Sequence, residues 1–346
     1  MPDLDARAWV VVGYGVGPGN LRAELLLNSY DRKFNLVNVC YHFAAVTRMD
    51  EFQFLLDSSW KKLSATWKKA RISATEKSIH DLRVSTRRLM AILELVQDLS
   101  KRNDIHQVRR TFKKVLKGMG PLRDVQVQLE NISHMKQVDL LGAFRRSLKR
   151  RERREIEKIR NVLKRGRRRR LRVAVKVVRS ELNRLNESLG DDQIRGSVER
   201  VLTSRRNEFL KAERQFHRLQ PDELALHQMR IAFKKLRYIV EAAQPVIGPS
   251  ARKRARKMQG FQQLMGDSRD VAMLHAELAK WAKKEGRIIA IVPTLQRLEE
   301  KQESLLRRVV KSSNQLEKTL QAETPQPVAE TTHVVVCTVP AGPVRV

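Results

Sequence analysis

Two segments of the sequence place one histidine and several basic residues on a single helical face. In IHDLRVSTRRLMAILELV (79–96), a rotation of about 100° per residue brings His80, Arg83 and Arg87 within about 60° of one another. LHQMRIAFKKLRYIVEAA (226–243) repeats this arrangement, and in both segments acidic residues return to the face only beyond the last basic residue. Arginine offers phosphate oxygens two parallel hydrogen bonds, lysine acts as a point charge, and a histidine beside phosphate favours its protonated form. The pattern favours polyanion binding over the alternatives, which are a solvated charged face and, for the histidines, a structural hydrogen bond. The equivalent pairs are His80 and His227, Arg83 and Arg230, Arg87 and Lys234, and the flanking Arg88 and Lys235, with Arg237 joining the second face at its edge.

A second motif, Gly-x-x-Arg-Asp, follows each segment after about forty residues. GPLRDV (120–125) matches GDSRDV (266–271) at an offset of 146, against 147 for the first pair of segments. Two matches at nearly one offset predict an internal duplication, with halves of about 51–190 and 194–320. Each motif is interpreted as a helix end followed by a new helix, with the aspartate in its first turn. Arg123 and Arg269 are candidates to complete a phosphate site, and Asp124 and Asp270 to hold a neighbouring arginine by paired hydrogen bonds.

The elements that would position these residues are all predicted to be helices. Leu, Arg, Lys, Glu, Gln and Ala dominate, and apolar residues recur at spacings of three and four. No alternating strand pattern competes, so the fold class is predicted to be all-α. The predicted helices are 51–73, 76–100, 104–118, 121–136, 138–165, 167–189, 194–217, 222–243, 250–264, 268–285 and 287–320.

The charge of the chain is confined to this helical region. The 346 residues carry a net charge of +32, yet residues 1–48 contribute +1 and residues 321–346 contribute −1. We predict a flexible leader at 1–48, a functional domain at 49–320 and a disordered tail at 321–346. Two cysteines exclude a disulfide scaffold and a four-cysteine zinc site, and no apolar run is long enough for a transmembrane helix. The start lacks the features of a secretion signal, so a cytoplasmic protein is expected.

At HDLRVSTRRL, HQMRIAFKKLRY, GPLRDV and GDSRDV the sequence resembles the CHAD family, the conserved-histidine α-helical domain, over about 51–320. The resemblance implies two pseudo-repeated, antiparallel four-helix-bundle-like halves around a basic cleft that binds inorganic polyphosphate. It would place His80, Arg83, Arg87 and Arg88 on one side of the cleft, and His227, Arg230, Lys234, Lys235 and Arg237 on the other. The expected function is binding of polyphosphate without catalysis, and the expected location is at polyphosphate granules in the cytoplasm.

Nucleic acid is the alternative partner. Residues 145–172 hold sixteen basic and three acidic residues, a run that could bind an RNA or DNA backbone. Aromatic residues make up only 5% of the chain, however, so stacking platforms for single strands are scarce. No metal, cofactor or catalytic motif is evident. The sequence favours neither a monomer nor an oligomer.

Overall fold

The computed structural model describes residues 47–135, 139–218, 223–248 and 250–322, without the side chains of 139, 140, 165, 166 and 315–322. Of the predicted leader (1–48) and tail (321–346), residues 1–46 and 323–346 lie outside the described residues, whereas 47–48 form the start of the first helix and 321–322 the end of the last. Within these ranges the chain forms helices and no strand, which confirms the all-α fold class. None of these helices has an apolar stretch long enough to cross a bilayer. The helices are α1 (Arg48–Ile72), α2 (Glu76–Ser100), α3 (Asn103–Gly118), α4 (Gly120–Ser133), α5 (Asp139–Val162), α6 (Arg165–Ser188), α7 (Asp191–Arg218), α8 (Glu223–Ala242), α9 (Gln244–Ile247), α10 (Ser250–Lys284) and α11 (Ile288–Ala322).

Local sequence fixes where the first two helices begin. Thr47 caps α1 in a reciprocal capping box with Asp50, whose carboxylate accepts the Thr47 backbone N–H at 3.0 Å. Thr75 caps α2 by accepting the backbone N–H of Ser78 at 3.3 Å. At its other end α2 stops at Lys101, which adopts the left-handed conformation with φ of 54°. These signals hold α2 at the limits 76–100 that the sequence predicts.

The two Gly-x-x-Arg-Asp motifs have different local structures. In the first, α3 ends at Gly118 with Met119 as its C-cap, α4 begins at Gly120, and Pro121 lies in the first turn as predicted. In the second, the predicted break between 264 and 268 is wrong, because α10 continues through Gly266. Met265 and Ser268, on either side of Gly266, are buried. Their burial stabilises this helical turn by more than the modest free-energy cost of a glycine within a helix.

Three apolar clusters hold the helices together. The first lies beneath α1, α2, α3 and α6, and the second beneath α7, α8, α10 and α11. The third joins α4 and α5 of the first half to the end of α10 and the start of α11 in the second half. Through this third cluster, and through the packing of α2 on α8, the two halves of the chain share an extensive contact. The residues of the two predicted basic faces therefore belong to neighbouring helices.

The order of the helices is similar in the two halves. Helix α2 is followed by α3 and α4 in the first half, and α8 is followed, after the short α9, by α10 in the second half. One uninterrupted helix, α10, thus occupies the place of α3 and α4. The duplication itself stays a prediction, which this order supports.

Candidate anion-binding site

The basic residues of α2 lie on the side opposite its buried leucines. Leu82 and Leu89 are fully buried in the core, whereas Arg83 and Arg87 are only half-buried. The Nη1 of Arg83 donates a hydrogen bond of 3.0 Å to the backbone carbonyl of Leu116, near the end of α3. Burial, together with the neighbouring charge of Arg87, lowers the pKa of Arg83 to about 10. The Arg83 guanidinium is therefore less well stabilised than in water, and an anion placed beside it would restore that stabilisation.

The basic residues of α8 are in a similar state. Burial lowers the pKa of Arg230, and the Arg230 Nε is buried without a hydrogen-bond partner among the described residues. Burial also holds the pKa of Lys234 well below its usual value, and the charges of Arg230 and Arg87 add to this effect. The folded protein therefore solvates the charged forms of both side chains poorly.

Packing of α2 on α8 brings these side chains together. The charge of Arg87 lowers the pKa values of both Arg230 and Lys234, and the charge of Arg230 lowers that of Arg83. Charges from the two halves of the chain therefore repel one another across one site. We call the following four residues the α2–α8 cluster: Arg83, Arg87, Arg230 and Lys234.

Two aspartates oppose the positive charge of the cluster. Asp124 of α4 acts on Arg83 and Arg230, and Asp270 of α10 acts on Arg230 and Lys234. Burial raises the pKa of Asp270 although these cations oppose the rise. The predicted paired hydrogen bonds from an arginine to each aspartate are absent from the described part of the chain, so the attraction acts through space. Neither aspartate lies in the first turn of its helix, which corrects that prediction too.

One end of the site carries His80 and Arg123. The Arg123 guanidinium donates to the carboxylate of Glu76, in the first turn of α2. His80 remains exposed to solvent, and partial desolvation followed by the charge of Arg123 lowers its pKa, with Glu76 and Asp81 opposing the shift. In the free protein this histidine therefore favours the neutral form at neutral pH.

The other end carries His227 and Arg269. The Arg269 guanidinium donates a hydrogen bond to Nδ1 of His227. Because a guanidinium can only donate, Nδ1 accepts and the hydrogen of the neutral ring lies on Nε2. Partial burial lowers the pKa of His227, and the charges of Arg269 and Arg230 lower it further. Of the two alternatives from sequence, this geometry gives His227 a structural hydrogen bond in the ligand-free state.

Three other cations predicted for the site are engaged within the protein. Glu241, near the end of α8, attracts two of them: Arg88 Nε lies 2.7 Å from one carboxylate oxygen, and Arg237 Nη1 lies 3.8 Å from the other. The side chain of Arg237 is also buried and donates to Gln262 at 2.8 Å. Lys235 is exposed and donates to Glu208 at 3.3 Å. The role of these residues in binding stays a prediction, but each already has a partner.

Sequence reasoning missed these internal partners. The pair between Arg237 and Glu241 has the spacing i, i+4 and could have been read from the sequence. The ion pair of Arg88 with Glu241 and the hydrogen bond of Arg83 to Leu116 depend on how separate helices pack, and no local signal announces them.

Two concave surfaces of the described chain lie away from the cluster. One, of about 630 Å³, lies between α2, α3 and α7, where Glu94 is paired with Arg109 and Arg205. The other, of about 710 Å³, follows the outer face of α7. Four arginines of the first surface already form ion pairs within the protein, so it offers an anion less than the α2–α8 cluster, which remains the better candidate; they are Arg102, Arg109, Arg200 and Arg205.

The comparisons with known proteins agree with the fold and the motifs. The pattern of the CHAD domain family matches residues 55–279, more than half of the chain, so the chain belongs to the CHAD domain family. Its fold is similar to that of the CHAD domain from the plant Ricinus communis, with 15% identity, a TM-score of 0.57, and coverage of 76% of this chain and 90% of that one. It is also similar to PptA from Streptomyces chartreusis, with 17% identity, a TM-score of 0.52, and coverage of 77% and 99%. At these identities the likeness concerns the fold alone. A comparison with curated proteins found no match.

Proposed function

We propose that this protein binds inorganic polyphosphate at the α2–α8 cluster and does not turn it over. The observation that carries the proposal is the meeting of Arg83 and Arg87 with Arg230 and Lys234, where the charge of Arg87 lowers the pKa values of the other three. A protein that only needed to be stable would gain by separating or neutralising such cations, so their convergence favours an anionic ligand. His80 with Arg123, and His227 with Arg269, extend the contact at the two ends.

The partial burial of the cluster cations favours a base-free phosphate chain over nucleic acid as the ligand. The four cluster side chains are half-buried between packed helices, where a slender chain can reach them more easily than a stiff duplex. Single strands are usually held by aromatic stacking, and Phe54 of α1 is the one aromatic side chain among the exposed large hydrophobic residues of the described chain. Polyphosphate carries about one charge per phosphate and needs only cationic contacts, which release counterions on binding.

Residence at polyphosphate granules in the cytoplasm is part of this proposal, since a binding protein concentrates where its ligand is abundant. A fluorescent fusion should co-localise with polyphosphate granules. A fusion in which the α2–α8 cluster has been neutralised should be diffuse at the same expression level.

A competition measurement tests the choice of ligand. At about 0.15 M salt, a labelled polyphosphate chain bound to the protein should resist displacement by RNA or duplex DNA of equal total charge, while unlabelled polyphosphate displaces it. The same samples should release no free phosphate over hours, as expected for binding without hydrolysis. Displacement by duplex DNA at lower charge concentration than by polyphosphate would favour a nucleic-acid-binding protein, and steady phosphate release would indicate an enzyme.

A further inference from the structure

A second group of cations surrounds the corner between α5 and α6, outside the proposed site. The residues of this corner group are exposed, and none forms an ion pair with another described residue. They also lie in the most basic stretch of the sequence, 145–172. Five uncompensated exposed charges so close together repel one another and attract a polyanion. The corner group is Arg160, Lys164, Arg168, Arg169 and Arg170.

The corner is anchored to the core of the domain. Leu163 is fully buried, and its carbonyl oxygen accepts a hydrogen bond of 3.1 Å from the indole nitrogen of Trp67, which is itself 1% exposed. The helix ends that carry the cations are thus held by a buried contact on α1. The corner group is a positioned surface, because its backbone is fixed from below.

The corner group also lies close to the α2–α8 cluster. Gly118, the last residue of α3, contacts the end of α5 so closely that a Cβ atom there would lie 3.1 Å from a methyl carbon of Val162. Two residues before Gly118, the carbonyl of Leu116 holds the guanidinium of Arg83 at 3.0 Å. Lys117, between them in sequence, is exposed. The end of α3 is therefore a short bridge from the cluster to the corner.

We propose that a long polyphosphate chain bound at the α2–α8 cluster continues over the end of α3 and is held a second time by the corner group. This inference rests on the proposed function and adds to it a preference for long chains. A short chain fills only the cluster, whereas a long chain engages both surfaces at once. The second contact is then intramolecular and benefits from a high effective concentration.

The test compares two chain lengths on one variant. Lys164, Arg168, Arg169 and Arg170 are changed to glutamine together, and affinity is measured for chains of about ten and about one hundred phosphates at several salt concentrations. Affinity for the long chain should fall at least about tenfold, and the slope of log affinity against log salt should decrease by about three, since each phosphate contact contributes about 0.7. Affinity for the short chain should change less than about twofold, because the cluster is intact.

Two controls separate this effect from bulk charge and from misfolding. Changing Lys301, Arg307, Arg308 and Lys311 to glutamine removes four exposed charges from α11 and should leave both affinities unchanged. Changing Arg168, Arg169 and Arg170 to lysine keeps the charge and should retain most of the affinity for the long chain. Equal losses for both chain lengths in the corner variant, or no loss for the long chain, would overturn the inference and leave the proposed function standing. Failure of the unchanged protein to bind even the short chain would instead overturn both.

Discussion

Arg88 of α2 and Glu241 of α8 form an ion pair that joins the two halves of the chain, with 2.7 Å between Nε and Oε1. The other oxygen of Glu241 lies 3.8 Å from Nη1 of Arg237, so this carboxylate is shared by two arginines. The guanidinium of Arg237 lies over the ring of Tyr238, 4.3 Å from its centroid. This arrangement fixes α2 against α8 beside the α2–α8 cluster, because Arg88 directly follows Arg87 and Glu241 lies about two turns beyond Lys234. Arg88 and Arg237 thus hold the two helices together, whereas the four cations of the α2–α8 cluster remain available to a ligand.

Glu241→Gln should therefore destabilise the protein. The change leaves Arg88 and Arg237 without their shared counter-charge in a half-buried contact, which we expect to cost about 1–2 kcal/mol in the free energy of unfolding. Denaturant titration measures the effect. Glu303→Gln, which breaks an exposed pair with Arg307 on α11, is the control and should stay within about 0.5 kcal/mol. Equal effects of the two changes would show that the Glu241 pair does not fasten the halves.

Lys234→Met should make the ligand-free protein more stable and weaken polyphosphate binding. Burial depresses the pKa of Lys234, so the folded state disfavours its charge. That cost is fully present below the folded-state pKa of Lys234 and is relieved as the pH rises from there to the pKa of the unfolded state. Removing the charge should raise Tm by about 2–4 °C. Lys311→Met, at an exposed position of α11 outside the proposed site, should change neither Tm nor affinity appreciably. A lower Tm with unchanged affinity in Lys234→Met would contradict this view of the cluster.

Polyphosphate affinity should rise as the pH falls from about 8 to about 5.5. The surroundings of His80 and His227 lower their pKa values in the free protein, and a bound anion would raise them. Protons are then taken up on binding between the free and bound pKa values, and affinity increases as the pH falls through the bound-state values. Calorimetry in buffers of different ionisation enthalpy measures this uptake near pH 6.5. The double variant His80→Gln, His227→Gln should take up fewer protons and show a flatter pH profile. An unchanged profile in that variant would exclude the histidines as its source.

Gly118→Val should destabilise the contact between α3 and α5. A Cβ at this position would lie 3.1 Å from a methyl carbon of Val162, and valine adds two further methyl groups. We expect a cost of about 1–3 kcal/mol from overpacking. Gly120→Val is the matched control, because a Cβ there meets nothing within 4 Å. If both changes cost the same, the end of α3 is not in close contact with the end of α5, and the bridge to the corner group loses its basis.

Most helix positions could be predicted from sequence, because capping residues and apolar spacing are local signals. Thr75 and the apolar spacing place α2 at 76–100, as the structure has it. The break predicted near Gly266 was wrong, because the burial of Met265 and Ser268 is a tertiary effect that single residues do not reveal. In the first half, a real interruption at Met119 coincides with the same motif.

The candidate site could be predicted in part. Helical rotation placed Arg83 and Arg87 on one face, and the resemblance implied that the second face would meet it. Which cations remain unpaired could not be predicted, since the partners of Arg88 and Lys235 come from other helices. The sequence indicated the corner group only as part of a strongly basic stretch, without its location in the fold. Its place beside Gly118 depends on the packing of α3 against α5.

The most direct test of the central claim is the affinity of a cluster variant for a short polyphosphate chain. The cluster variant changes Arg83, Arg87, Arg230 and Lys234 to glutamine. The α11 variant described above, which removes the same number of charges from an exposed surface, is its control. With helicity retained in both, the cluster variant should lose at least about a hundredfold in affinity at about 0.15 M salt, and the α11 variant should lose less than about threefold. Equal affinities of the two variants would contradict the assignment of polyphosphate binding to the α2–α8 cluster.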